Sequence, residues 1–95
     1  RAAVLYQQAC DAKLGSSCLA LGSLLERGGG VSPDFEAARS AFQQGMALGQ
    51  YEAQRRYARM LWHGLGGKKQ RGQARRLYQD ACSKGHSKAC AGWRL

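Results

Sequence analysis

The sequence contains no isoleucine, no threonine and no asparagine, and Pro33 is its single proline. Val4 and Val31 are the only β-branched residues, so a β-sheet would have almost nothing to fill it. Without asparagine there is no acceptor for N-glycosylation. No apolar run approaches the ~20 residues of a membrane span. No leader is visible, and the chain starts at Arg1 without a methionine, which suggests a processed or excised piece. Acids are scarce as well: 6 against 15 bases, for a net charge of +9. What is abundant is small or helix-forming. Alanine (15) and glycine (13) exceed a quarter of the 95 residues, and leucine, glutamine, arginine and lysine supply most of the rest. The expectation is one small all-α unit in which small residues let helices approach closely.

The chain repeats itself. A shift of 36 residues aligns Tyr6, Phe42 and Tyr78 without a gap. The same register aligns Ala2, Ala38 and Ala74; Leu5, Ala41 and Leu77; Ala9, Gly45 and Ala81; and Leu21, Tyr57 and Trp93. Gly28 meets Gly64, and Gly30 meets Gly66. This many matches in one register mark a repeat architecture.

Each period reads as two helices. Ser16–Glu26 places Cys18, Leu21, Leu24 and Leu25 at helical spacing. The run from Arg27 to Asp34, with three glycines and Pro33, breaks it. Asp34 and Glu36 then open a second helix, where acids suit the free amides and the dipole. That helix runs to about Leu48 and is closed by Gly49. The pattern recurs as Tyr51–Trp62, a break through His63, Gly64, Gly66 and Gly67, and Arg71–Lys84 closed by Gly85. The expected organisation is an orphan second helix in 1–13, repeats at 14–49 and 50–85, and a partial first helix in 86–95. That makes about six helices and about two and a half repeats.

A two-helix period with the break Gly28-x-Gly30-Val31-x-x-Asp34, flanked by Leu21-Gly22, Leu25, Ala37-Ala38, Phe42, Gly45, Gly49 and Ala53, resembles the Sel1-like repeat, a relative of the tetratricopeptide repeat. The second copy departs from it, with Gly67 in the valine slot and Gln70 in the aspartate slot, so its second helix is expected to lack an acidic cap. The resemblance implies an α/α solenoid of antiparallel helix pairs whose concave face binds a protein or peptide. Such arrays bury their faces only by stacking, so a longer parent array is expected.

The four cysteines form two pairs of equal spacing, Cys10–Cys18 and Cys82–Cys90, two periods apart. Within one helix such a pair would be ~12 Å apart, too far to bridge. Across the turn between antiparallel helices it can meet. Met46 and Gln54 occupy the intervening slots, so both members of the pair are absent together. We read two disulfides, each closing a loop of about nine residues, and an oxidising compartment, periplasmic or extracellular. Within Sel1-like proteins the spacing looks like the Helicobacter cysteine-rich family, which implies a bacterial, secreted or periplasmic protein. Two other readings stay open. Cys82, His86 and Cys90 have metal-ligand character, although Cys10 and Cys18 have no histidine nearby. Free structural thiols in a reducing cell are the plain alternative.

Charge is unevenly spread. Residues 1–49 carry four bases and four acids, whereas 50–84 carry nine bases and two acids. Arg56, Arg59 and His63 fall at i, i+3 and i+7, one helical stripe, with Arg55 beside it and Glu52 a turn before. In a tetratricopeptide-like stack the first helix lines the concave face, so this stripe is expected in the groove. There arginines suit an acidic or carboxylate-bearing partner. Trp62 belongs at the groove mouth, as a ligand platform or as a packing residue. The expected partner-binding set is Arg55, Arg56, Arg59, Trp62 and His63. A second cluster, Lys68, Lys69, Arg71, Arg75 and Arg76, is expected on the convex side or edge, where a solvated surface explains it.

No catalytic set emerges. The seven serines include no G-x-S-x-G elbow, and no glycine-rich phosphate loop is present. Glu26, Asp34 and Glu36 gather near the first break, where capping and solvation account for them. No cofactor or metal motif is assigned. The first functional reading is a protein-interaction scaffold rather than an enzyme. The alternative implied by the cysteine-rich resemblance is a weak β-lactam- or cell-wall-fragment-binding hydrolase. A second alternative is nucleic-acid binding through the basic repeat, which lacks any recognition motif.

Overall fold

A computed structural model describes residues 2–28 and 33–85. Five helices are present there: α1 (Ala2–Asp11), α2 (Gly15–Arg27), α3 (Phe35–Ala47), α4 (Tyr51–His63) and α5 (Arg71–Ser83). No strand occurs among the described residues. The expected sixth helix, in 86–95, lies outside them, as do Trp93 and the break residues Gly30 and Val31.

The 36-residue period extends to individual backbone bonds. Leu14 N–H donates to Ala9 O at 3.1 Å, and Gln50 N–H donates to Gly45 O at 3.0 Å. Asp34 N–H returns to Leu25 O at 3.0 Å, and Gln70 N–H to Leu61 O at 2.9 Å. Each pair is related by one period, so both kinds of turn are built twice from the same bonds. Gly28 and Gly64, also one period apart, close α2 and α4 in the left-handed conformation at φ 72° and 73°. A side chain rarely adopts that conformation without cost, which is why glycine stands there.

Small residues set the spacing between helices. A Cβ on Gly22 would lie 2.6 Å from the Phe42 ring, so that glycine lets the ring press flat against the α2 backbone. Phe42 is completely buried, together with Tyr57, Met60, Leu61, Tyr78 and the alanines 38, 53, 58, 74 and 81. A smaller cluster of Cys10, Cys18, Leu21 and Ala41 joins α1, α2 and α3. Neighbouring helices pack in chain order. In addition α2 approaches α4 and α1 approaches α3, whereas no Cα of α3 comes within 8 Å of α5.

One aromatic of the repeat register is not in the core. Tyr6 shares the slot of Phe42 and Tyr78 but is 39% exposed, and its neighbour Leu5 is 62% exposed. Phe42 is covered from two sides. Phe42 lies against α2 and under the Arg56 guanidinium of α4, 6.0 Å from the ring centroid. Among the described residues α1 meets only α2 and α3, both on its inner side.

Candidate functional site

The α4 sequence alternates large apolar residues with charged ones. Ala53, Gln54, Tyr57, Ala58, Met60 and Leu61 are buried, and Glu52, Arg55, Arg56, Arg59 and Trp62 fall on the flank toward solvent. Arg55 Nε donates to Glu52 Oε1 at 3.1 Å, and its Nη2 donates to Oε2. Arg56 Nε donates to the same Oε2 at 3.0 Å. One helical turn thus joins two guanidiniums to one carboxylate. The Arg55 hydrogen bond holds the Glu52 carboxyl below the usual carboxylate range, against the opposing effect of burial. Reciprocally, Glu52 raises the pKa of Arg55.

The network crosses to α2 through Glu26. Arg59 Nη2 donates to Glu26 Oε2, and Arg56 Nη1 lies 3.8 Å from Oε1. The Glu26 side chain is only 11% exposed. A carboxylate so desolvated persists because two arginines face it. Arg59 Nε is buried with no acceptor among the described residues. The expected stripe therefore exists, but it is no row of free cations. Three arginines and two glutamates leave it with little net charge.

Trp62 is half-buried against the core, and its outer side is covered. The Arg71 guanidinium sits 4.8 Å from the ring centroid, and Arg71 Nε donates to Trp62 O at 3.3 Å. His63 is exposed at the last residue of α4. The structure thus joins Arg55, Arg56 and Arg59 in one network. It pairs Trp62 with Arg71 instead and leaves His63 at the rim.

Glu26 was not legible as a site residue. Sequence reasoning assigned it to capping and solvation near the break, and the structure corrects that. It lies 33 residues from Arg59, a separation that no helical or strand period produces, and only the stacking of α2 on α4 brings them together. Gln54 was likewise missed. It is 6% exposed in the slot that Cys18 fills one period earlier. Its Nε2 donates to Leu77 O at 2.8 Å and to Asp80 Oδ2 at 2.9 Å, tying α4 to α5. That bond and Lys84 hold the Asp80 carboxyl below its ordinary value.

Cys10 and Cys18 form a disulfide with Cα atoms 4.6 Å apart, both side chains buried. It pins α1 to α2 across their turn, as the spacing suggested. Cys82 is not a free thiol, and its expected partner Cys90 lies outside the described residues, as does His86 of the metal reading. Beside the disulfide, Asp11, Lys13, Gln44, Ala47 and Leu48 line a cleft of about 390 Å³ to which α4 contributes nothing. No described helix is long and apolar enough to cross a membrane.

Residues 1–14, 15–45 and 52–86 match the family model described as Sel1 repeat. Similar solved structures include cysteine rich protein B from Helicobacter pylori, 26% identical, with a TM-score of 0.83 over 90% of this chain and 65% of that one. Another is a Sel1 repeat protein from Oxalobacter formigenes, also 26% identical, with a TM-score of 0.87 over 94% of this chain and 67% of that one. The chain spans 65% and 67% of the length of these two structures. No curated protein matches the sequence.

Proposed function

The chain belongs to the Sel1 repeat family, and on that premise we propose that it is a protein-interaction scaffold of an extracytoplasmic bacterial compartment. Its partner is a protein or peptide segment laid along the α2/α4 side, with Arg55, Arg56, Arg59, Trp62 and His63 as the contact residues. The observation that carries this reading is the ion-pair network from Glu26 through Arg59 and Arg56 to Glu52 and Arg55. Guanidiniums held by carboxylates keep one geometry and lose little freedom on binding, so their remaining N–H donors are ready for acceptors of a partner.

The pairing narrows the partner. With Glu26 and Glu52 already opposite the arginines, a strongly acidic segment has less to gain here than the bare arginine count suggested. A segment offering backbone carbonyls or single carboxylates fits better. The closed Cys10–Cys18 bridge and the similarity to a Helicobacter pylori cysteine rich protein support the compartment.

The test is site-specific photo-crosslinking in periplasmic extract, with the photoreactive residue at Arg55 or His63, or at the exposed α3 positions Ser40 or Gln43. The expected result is one discrete protein adduct from positions 55 and 63 alone. Equal labelling from the α3 positions would overturn the assignment of the α2/α4 side. Reversing Arg56 and Arg59 to glutamate is a poorer test, because it strips Glu26 of its partners and threatens the fold.

A further inference from the structure

The uncompensated positive charge of the molecule lies elsewhere. All six acids of the chain are among the described residues, and each has a local task or place. Glu26 and Glu52 hold Arg55, Arg56 and Arg59, and Asp80 holds Lys84. Asp34 accepts the Ala37 N–H as the cap of α3, Asp11 accepts from Gln7, and Glu36 sits in the first turn of α3. Lys68, Lys69, Arg71, Arg75 and Arg76 form no ion pair with any of them. Five bases thus crowd a nine-residue stretch that contains no acid.

Their placement opposes folding. They surround the start of α5, where the free amides and the helix dipole favour negative charge. Gln70 provides no side-chain cap there, and the first turn has no acid. One period earlier, Asp34 and Glu36 fill the same positions at the start of α3. A local rule is broken in one repeat and kept in the other, which is the pattern expected of a surface committed to a partner. The loop is also held in place: Arg39 Nη2 donates to Lys68 O at 2.9 Å, and Arg39 Nη1 to Leu65 O at 3.4 Å.

We propose that the surface formed by Lys68, Lys69, Arg75 and Arg76 docks an acidic segment of a partner protein, separately from the α2/α4 side. Carboxylates of such a segment would meet both the free side chains and the uncapped α5 amides. The surroundings favour a polypeptide over other polyanions. No large hydrophobic residue is exposed between 64 and 85, and the exposed ring of Phe35, whose backbone packs on Gly66, is too little apolar area to anchor this surface in a bilayer. The nearby Trp62 is covered by Arg71 and offers no face for base stacking.

The test measures fluorescence anisotropy with a labelled peptide of eight glutamates at low salt. The wild type is expected to bind it. K68E/R75E is expected to weaken binding at least tenfold, whereas K13E/R27E, with the same net charge, changes it less than twofold. Thermal melting verifies the fold of each variant, and K68Q/R75Q replaces K68E/R75E should the reversal unfold. Equal losses in both double variants would reduce the effect to net charge and overturn the proposal. So would an absence of binding by the wild type. Tighter wild-type binding to an eight-nucleotide DNA strand, or to phosphatidylglycerol vesicles, would overturn it in favour of those partners.

Discussion

The turn between α1 and α2 and the turn between α3 and α4 are the same structure one period apart, yet they are secured differently. In the first, Cys10 and Cys18 face each other and are joined covalently. In the second, Met46 packs against the core, and the Gln54 amide reaches forward to Leu77 O and Asp80 on α5. The first turn is pinned to itself, and the second is pinned to its neighbour. The difference follows from what surrounds each. The α1–α2 turn has helices on one side only, and its core cluster is small. The α3–α4 turn lies between two packed layers and draws its stability from the larger cluster. A crosslink is most useful where stacking is least available, because it acts on the unfolded chain rather than through burial.

The sharpest way to break the comparison is through the aromatic slot shared by the two regions. Phe42→Ala should cost about 3–5 kcal/mol, since it empties a fully enclosed site. Tyr6→Ala, in the same slot but exposed, should cost less than about 1 kcal/mol. Urea titrations of both variants check this, and equal losses would refute the layered account.

Next in size is the bridge itself. C10A/C18A should lose about 2–3 kcal/mol for a closed loop of this length. Gln54→Ala should lose about 1–3 kcal/mol, because it removes the side-chain hydrogen bonds to Leu77 O and Asp80 that tie α4 to α5. Both are read from denaturant midpoints, and only the first variant should leave hydrogen exchange in α5 unchanged.

A smaller effect separates the helix starts. Asp34→Ala should destabilise α3 by about 1 kcal/mol, and Gln70→Asp should stabilise α5 by a similar amount by supplying the missing cap. Melting temperatures that move in the same direction would contradict the charge asymmetry.

The smallest expected effect is in pH. The Glu52 carboxyl has its pKa lowered by the Arg55 hydrogen bond. Its contribution to stability is therefore complete above the ordinary carboxylate value of 4.5 and is lost as pH falls through the lower folded value. Glu52→Gln should lower stability at neutral pH, where the contribution is complete, and flatten the acid limb below pH 4.5, so that the two stability curves converge at low pH.

Much of this fold was legible residue by residue. The glycines at 28 and 64, the acid at 34, the missing acid at 70 and the cysteine spacing all act within a turn or two of chain, so sequence distance reports them. The helix bounds differ from expectation by about one residue at most ends. The candidate site was legible only in part. The alignment of Arg56, Arg59 and His63 on α4 follows from helical period alone. Their partner Glu26 and the cover on Trp62 do not, because both come from another helix.

By itself the sequence determined a two-helix period, its breaks, the cysteine spacing at the first turn and the basic bias of the second repeat. Each of these depends on local backbone preference or on short loops. The tertiary structure alone decided which charges are spent. The packing of α2 against α4 buries Glu26 between two arginines, and among the described residues no acid pairs with Lys68, Lys69, Arg75 or Arg76. A charge count belongs to the chain, but its compensation depends on distances of a few ångströms between residues far apart in sequence.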